Sequence, residues 1–236
     1  VWVLWAAQVK GNFDIYGKAR QGGAWGEEIR LTQDPGPDLN PVAVADSGGG
    51  VWAAWQGWRQ NNFDVLAARQ RGHGFTREER VSTSAANDWD PQLAAGSGGE
   101  VAVVWDTYDK GDYDVYLRRM RFADPKITQE AALPVAAGRK FEARPTVAYG
   151  RDNRVFVAYE ESYPAWGKDF GAYETTGSGL YQASTVRVKV LAGSSYFTTV
   201  DKLEDTVETA ASGQPAAAVR AVRPRRAVLP PSELPN

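Results

Sequence analysis

The sequence predicts an all-β fold assembled from one repeated four-stranded antiparallel unit, and three observations predict it. The first is a set of alternating strands that match one another: residues 1–5 (VWVLW), 51–55 (VWAAW), 101–105 (VAVVW) and 155–159 (VFVAY), with starts 50, 50 and 54 residues apart. The second is that two further sets keep step with the first, which chance does not produce. The third is composition: 9 Trp, 10 Tyr and 24 Gly with no Cys, the make-up of short aromatic-rich strands joined by glycine turns and lacking a disulfide framework.

Each period supplies four strands in a fixed order. A small-residue strand opens it, following the prolines of Asp38-Leu39-Asn40-Pro41, Asp88-Trp89-Asp90-Pro91 and the looser Glu142-Ala143-Arg144-Pro145 and Ser212-Gly213-Gln214-Pro215. Proline fits the start of that strand, where the hydrogen-bond ladder has not begun. The aromatic-ended strand comes second. An Asp-led strand is third: Phe13-Asp14-Ile15-Tyr16, Phe63-Asp64-Val65-Leu66 and Tyr113-Asp114-Val115-Tyr116, with a degenerate copy at Gly179-Leu180-Tyr181. A polar outer strand near 28–32 or 77–82 completes the unit.

Four short antiparallel strands per 40 to 50 residues, with small side chains nearest an axis, make a β-propeller blade. Residues 1–219 hold four blades' worth of strands, with breaks near 37, 87, 141 and 211. The chain begins at a second strand and ends its repeats on a lone inner strand at 215–219, so either the two complete each other in a four-bladed ring or the chain is an open piece of a six- to eight-bladed one. The open piece is the expectation. Residues 220–236, rich in Arg and Pro, break the pattern and are expected to be a disordered tail.

The stretch DIYGKARQGGAWGEEIRLTQDPGPDLNPVAVADSGGGVWAAW resembles the repeat of TolB-like propellers, in which an Asp-Ile-Tyr strand, a Leu-Thr, an Asp-x-x-Pro and an Asp-x-x-Gly turn recur. It is also similar to sialidase-like propeller repeats, although Asp46 and Trp52 stand too far apart for the Asp box of that family. The resemblance implies architecture and not activity.

Composition narrows the function classes. A net charge of -2 with both signs interspersed gives no footprint for nucleic acid, and no apolar stretch is long enough to insert in a membrane as a helix. One histidine, His73 between two glycines, and no cysteine exclude the usual zinc sites and leave no Ser-His-Asp or Cys-His arrangement without that turn residue. Glycosidase chemistry, which needs two carboxylates, survives this filter.

Propeller sites form where the loops leading into the first strands and those leaving the second strands converge, an analogy with propellers in general. That face receives Asp38, Asp88 and Glu142, and the segments 56–62, 106–112 and 160–178. The last is longer than its counterparts, and long insertions are disproportionately functional. The expected ligand site is Trp58, Arg59, Trp89, Tyr108, Asp109, Trp166, Lys168 and Asp169, where aromatic faces cover apolar sugar or peptide surface and charged groups fix orientation. Asp14, Asp64 and Asp114 recur once per blade, which marks repeated local hydrogen bonding and not a catalytic group. Asp106, Asp109, Asp112 and Asp114 have oxygen ligands at a spacing suited to Ca²⁺, yet lack the full order of a calcium loop. A solvated turn is the expectation, and no cofactor is required.

The expected role is a binding or scaffold module in an exported bacterial protein, periplasmic or extracellular, recognising a glycan, peptide or protein. The alternatives are a propeller-type glycoside hydrolase or an accessory domain of a larger hydrolase.

Overall fold

The computed structural model describes residues 1–163, 184–193 and 195–198. These form seventeen strands in four antiparallel sheets, and the one helical element among the described residues is a 3-10 turn at Ser97–Gly99. The first sheet holds β1 (Trp2–Val9), β2 (Asn12–Gln21) and β3 (Ala24–Arg30). The second holds β4 (Asp38–Ala45), β5 (Val51–Arg59), β6 (Asn62–Arg71) and an outer strand split into β7 (Gly74–Phe75) and β8 (Glu79–Arg80). The third holds β9 (Asp88–Ala95), β10 (Glu100–Thr107), β11 (Asp114–Ala123) and the split pair β12 (Lys126–Gln129) and β13 (Leu133–Ala136). The fourth holds β14 (Phe141–Tyr149), β15 (Val155–Ser162), β16 (Thr185–Ala192) and β17 (Ser195–Thr198). This is an open set of four propeller blades, with the first blade lacking an inner strand among the described residues.

Alternation in the second strands builds the core, because successive side chains point to opposite faces and each face meets a neighbouring blade. Val101, Val103 and Trp105 pack on Trp52, Ala54, Val65 and Ala67 of the second blade. Ala102 and Val104 pack on Val155, Val157 and Tyr159 of the fourth. Ile15 meets Ala53, Trp55 and Leu66. The aromatic that ends each second strand is therefore an inter-blade wedge: Trp55, Trp105 and Tyr159 are buried against the preceding blade. Trp5, with no preceding blade among the described residues, is half-buried.

The inner strands correct one detail of the sequence reading. The ladder begins at Asp38, Asp88 and Phe141, ahead of each proline. The proline lies inside a β-bulge: Asn40-Pro41 faces Trp55 alone, Asp90-Pro91 faces Trp105, and Arg144-Pro145 faces Tyr159. A bulge leaves an unpaired residue, so the missing proline N–H is not needed there. The residue before each proline is left-handed, with φ of 51° at Asn40, 49° at Asp90 and 52° at Arg144. Asn and Asp tolerate that region best, while at Arg144 it costs about 1 kcal/mol.

Two other expectations shift. The outer strand of the first blade starts earlier than expected, at Ala24. The position held by Asp14, Asp64 and Asp114 in the pairing of second and third strands is held in the fourth blade by Thr185, opposite Glu161. Gly179-Leu180-Tyr181, expected there, lie outside the described residues, as do 215–219 and the tail.

The recurring Asp does local work. Asp14 accepts from Arg30 (2.7 Å) while Thr32 Oγ1 accepts the Ile15 N–H (2.9 Å). One period on, Asp64 accepts from Arg80 (2.6 Å) and Ser82 Oγ accepts the Val65 N–H (2.9 Å). Asp46, for its part, accepts from the Gly48 and Gly50 amides and from Trp52 Nε1 (3.1 Å), pinning the turn between the first two strands of its blade despite the long spacing.

Candidate functional site

The bulges aim three side chains into one place. Asn40, Asp90 and Arg144 stand at the same end of adjacent inner strands and line a hollow of about 280 Å³. Gln56 and Asp106, each one residue past the aromatic wedge of its second strand, line it too. Trp89, Tyr113 and Phe141 supply an aromatic wall: Trp89 and Tyr113 have ring centroids 5.8 Å apart, Tyr113 and Phe141 5.2 Å.

Within a blade, the bulge residue and the residue past the wedge are built to meet, sixteen positions apart. Asn40 Nδ2 donates to Gln56 Oε1 at 3.0 Å. Arg144 donates to Glu160 Oε2 at 2.8 Å. In the third blade both members are acids, Asp90 and Asp106, and neither can donate to the other when ionised.

Asp106 is the buried member, 2% exposed. Its Oδ2 accepts the backbone N–H of Arg144 at 2.8 Å, a bond from blade to blade. Its Oδ1 is buried and has no partner among the described residues. Burial pushes its pKa up to about 7; the Asp90 and Asp88 charges add to that, and the Arg144 amide and guanidinium oppose it. Burial also raises the Tyr113 phenol, with the Asp106 charge second. Asp106 thus lines the hollow, beside its aromatic wall and the exposed Asp90, with a carboxyl that burial lifts toward neutrality and one oxygen without a partner among the described residues.

The residues expected from sequence fall in several places. Trp89 lines this hollow, and Tyr108 packs edge-on against its Tyr113 at 5.1 Å. Trp58 and Arg59 line a separate hollow of about 590 Å³ together with Asp34, Arg77 and Glu78. There Arg59 is held by three carboxylates: Asp38 at 3.0 Å, Glu78 at 2.9 Å and Asp34 at 3.5 Å. Burial lifts Asp38 to about 6 although Arg59 pulls it down. Trp58 is 37% exposed and leans edge-on against Phe63. Asp109 sits in an exposed turn. Trp166, Lys168 and Asp169 lie outside the described residues.

Asp106, Asp109, Asp112 and Asp114 are not gathered around a point. Asp114 accepts from Lys110 at 3.2 Å, Asp106 faces the hollow, and no cluster of three or more metal-ligating side chains exists among the described residues. Sequence reasoning placed Gln56 and Asp106 on the loop face, within the segments 56–62 and 106–112, without singling either out as a ligand contact, and missed Asn40, Asp90, Tyr113, Phe141 and Arg144 as lining residues. The signal was there in the sixteen-residue offset between the pre-proline residue and the residue after the wedge.

Neither the protein-family models nor the curated proteins gave a match to this chain. Solved structures match it in fold. A protein of unknown function from Dyadobacter fermentans aligns with a TM-score of 0.51 at 14% identity, over 69% of this chain and 47% of its own. An ulvan lyase from a new polysaccharide lyase family aligns with a TM-score of 0.51 at 11% identity, over 78% of this chain and 48% of its own. The same type of lyase bound to -[GlcA(1-4)Rha3S]- gives 0.50 at 12% identity, with the same coverage. The chain spans about half the length of these structures. At such identity the likeness is one of fold, and it agrees with the strand order: the chain is an all-β protein of propeller blades. No helix among the described residues is long and apolar enough to cross a membrane.

Proposed function

We propose that this propeller binds carbohydrate in the hollow at the ends of β4, β9 and β14. One observation carries the reading: the tilted wall of Trp89, Tyr113 and Phe141 stands beside Asn40, Gln56, Asp90 and Asp106, apolar faces next to directional polar groups. Sugar rings present that combination in reverse, with C–H faces for the aromatics and hydroxyls for the polar edge. An ulvan lyase among the fold neighbours acts on a polysaccharide, which supports the same ligand class. Tyr108 backs the wall. Trp58, Arg59 and Asp109, with Trp166, Lys168 and Asp169 of the long insertion, are proposed from the sequence as further contacts for a longer glycan. The Asp-Ile-Tyr, Leu-Thr and Asp-x-x-Pro repeat supports a TolB-like lineage for the blades. A periplasmic or extracellular setting, where structural polysaccharides are met, belongs to the same proposal.

The test is titration calorimetry with ulvan-derived oligosaccharides and with xylo- and arabino-hexaose, on the wild type and Trp89→Ala. The expected result is binding of at least one probe, weakened in the variant by about 1–3 kcal/mol, the range of an aromatic anchor. A Trp89→Ala protein that is folded and binds as tightly as the wild type would remove the hollow from consideration.

A further inference from the structure

We propose that the hollow also cleaves the glycan it holds, by hydrolysis, with Asp106 as the acid that protonates the departing glycosidic oxygen and Asp90 as the base that receives a proton from the attacking water. The inference rests on the carbohydrate reading above. What carries it is an exception inside the repeat. Gln56, Asp106 and Glu160 occupy one register position in three blades, directly across from Leu39, Trp89 and Ala143, and the next residue of each inner strand is the left-handed bulge residue. In two blades this pair is complementary and closed, Asn40 to Gln56 at 3.0 Å and Arg144 to Glu160 at 2.8 Å. The third blade places two carboxyl groups in the same frame. Its buried member keeps an oxygen with no partner among the described residues.

The two acids also differ in the way acid-base catalysis needs. Asp106 Oδ2 is occupied as an acceptor by the Arg144 N–H, which leaves Oδ1 as the seat of the proton. Asp106 is buried while Asp90 on the rim is exposed to water. Burial, reinforced by Asp90 and Asp88, keeps Asp106 protonated up to about 7. The remaining charged or titratable groups facing it are Arg144 and Tyr113.

The reaction balances without a co-reactant other than water. The bond between the anomeric carbon and the glycosidic oxygen breaks, and that oxygen takes the Asp106 proton. The water oxygen bonds to the anomeric carbon and gives one proton to Asp90. That proton returns to Asp106 through solvent, and one new reducing end is released. With two acids at the cleavage point, the sugar there is uncharged, because a uronate or sulfate would meet Asp90.

The experiment uses the full chain and neutral probes, namely xylohexaose, arabinohexaose, cellohexaose and mannohexaose. Binding is followed by calorimetry and new reducing ends by mass spectrometry. The expected result is that the wild type cleaves a probe it binds, with a rate that falls above about pH 7. Asp106→Asn should bind that probe while losing roughly 10²–10⁴-fold in turnover. It should keep near-normal turnover on the 2,4-dinitrophenyl glycoside of the same sugar, whose leaving group needs no proton. A purely structural role for Asp106 would not separate the two substrates. Asp90→Asn should lose activity on both. Should either variant fail to fold, the wild-type pH profile and the comparison of the two leaving groups at high pH decide the question. Binding without cleavage by the wild type overturns the hydrolytic inference and leaves the binding reading standing. Absence of binding to any of the neutral hexaoses overturns it as well, and binding of ulvan oligosaccharides alone would then preserve the carbohydrate reading with a charged ligand.

Discussion

At the scale of single residues, Asp106 carries the sharpest consequence. Its folded pKa, about 7, lies above the value near 4 of an unfolded aspartate. The folded state therefore binds more protons than the unfolded one between those values, and stability falls as pH rises from about 4 to about 7, then stays lower. Asp38, lifted to about 6, acts in the same direction. Asp46 and Glu161, both held below their usual values by arginine or lysine partners in spite of some burial, act oppositely and lose their stabilisation in acid. A difference between variants isolates the Asp106 contribution. Asp106→Asn keeps an oxygen for the Arg144 N–H and removes the ionisation. It should be more stable than the wild type at pH 8, by about 4 kcal/mol at most, and gain little at pH 4. Denaturant unfolding at the two pH values measures this; an equal gain at both would mean that ionisation of Asp106 is not the cause.

At the scale of elements, the second strand was readable because its pattern is covalent and repeated: an apolar run ending on an aromatic, in step with the Asp-led strand. The bulge was not readable in the same way. Proline excludes a ladder N–H, and the strand's start satisfies that exclusion as well as a bulge does; choosing between them needs the register of the partner strand, which pairs Leu39 with Gln56 but Val42 with Ala54. The dyad stayed hidden for the same reason. Asp90 and Asp106 belong to different strands, and the sixteen-residue offset that recurs between such pairs marks them as neighbours only once the register of the two strands is known. Trp166, Lys168 and Asp169 stood out in sequence as an insertion, whereas the hollow is made largely from strand positions that recur in the second, third and fourth blades. The wedge gives this level its own prediction. Trp55→Ala removes a fully buried side chain between two blades and leaves Asp38 without its indole donor at 2.9 Å. The expected loss is about 3–5 kcal/mol. Trp5→Ala, at the equivalent but half-buried position, should lose clearly less. Equal losses in chemical denaturation would refute the wedge as an inter-blade element.

At the scale of the whole molecule, each blade is stabilised by the blades on either side, as in other repeat folds where stability is a sum of units and interfaces. The third blade has both faces covered, and every residue of β10 is buried. Among the described residues the first blade has one face covered; Val1 and Val3 are 85% and 44% exposed, whereas Val101 and Val103, their counterparts in the third, are fully buried. Its outer strand β3 is exposed along nearly its whole length. Local opening follows such differences, since a strand with few buried apolar contacts separates at a lower free energy than the global transition. Amide exchange should therefore be slowest in β5, β6, β10 and β11 and markedly faster in β2 and β3, even though β2 is hydrogen-bonded on both sides. The hollow would inherit its rigidity from the slow side, because Asp90, Asp106 and Tyr113 belong to the third blade or lead into its strands. Protection in β3 equal to that in β10, read by mass spectrometry on peptides spanning each strand, would show that the blades open together and that the site has no stiffer half.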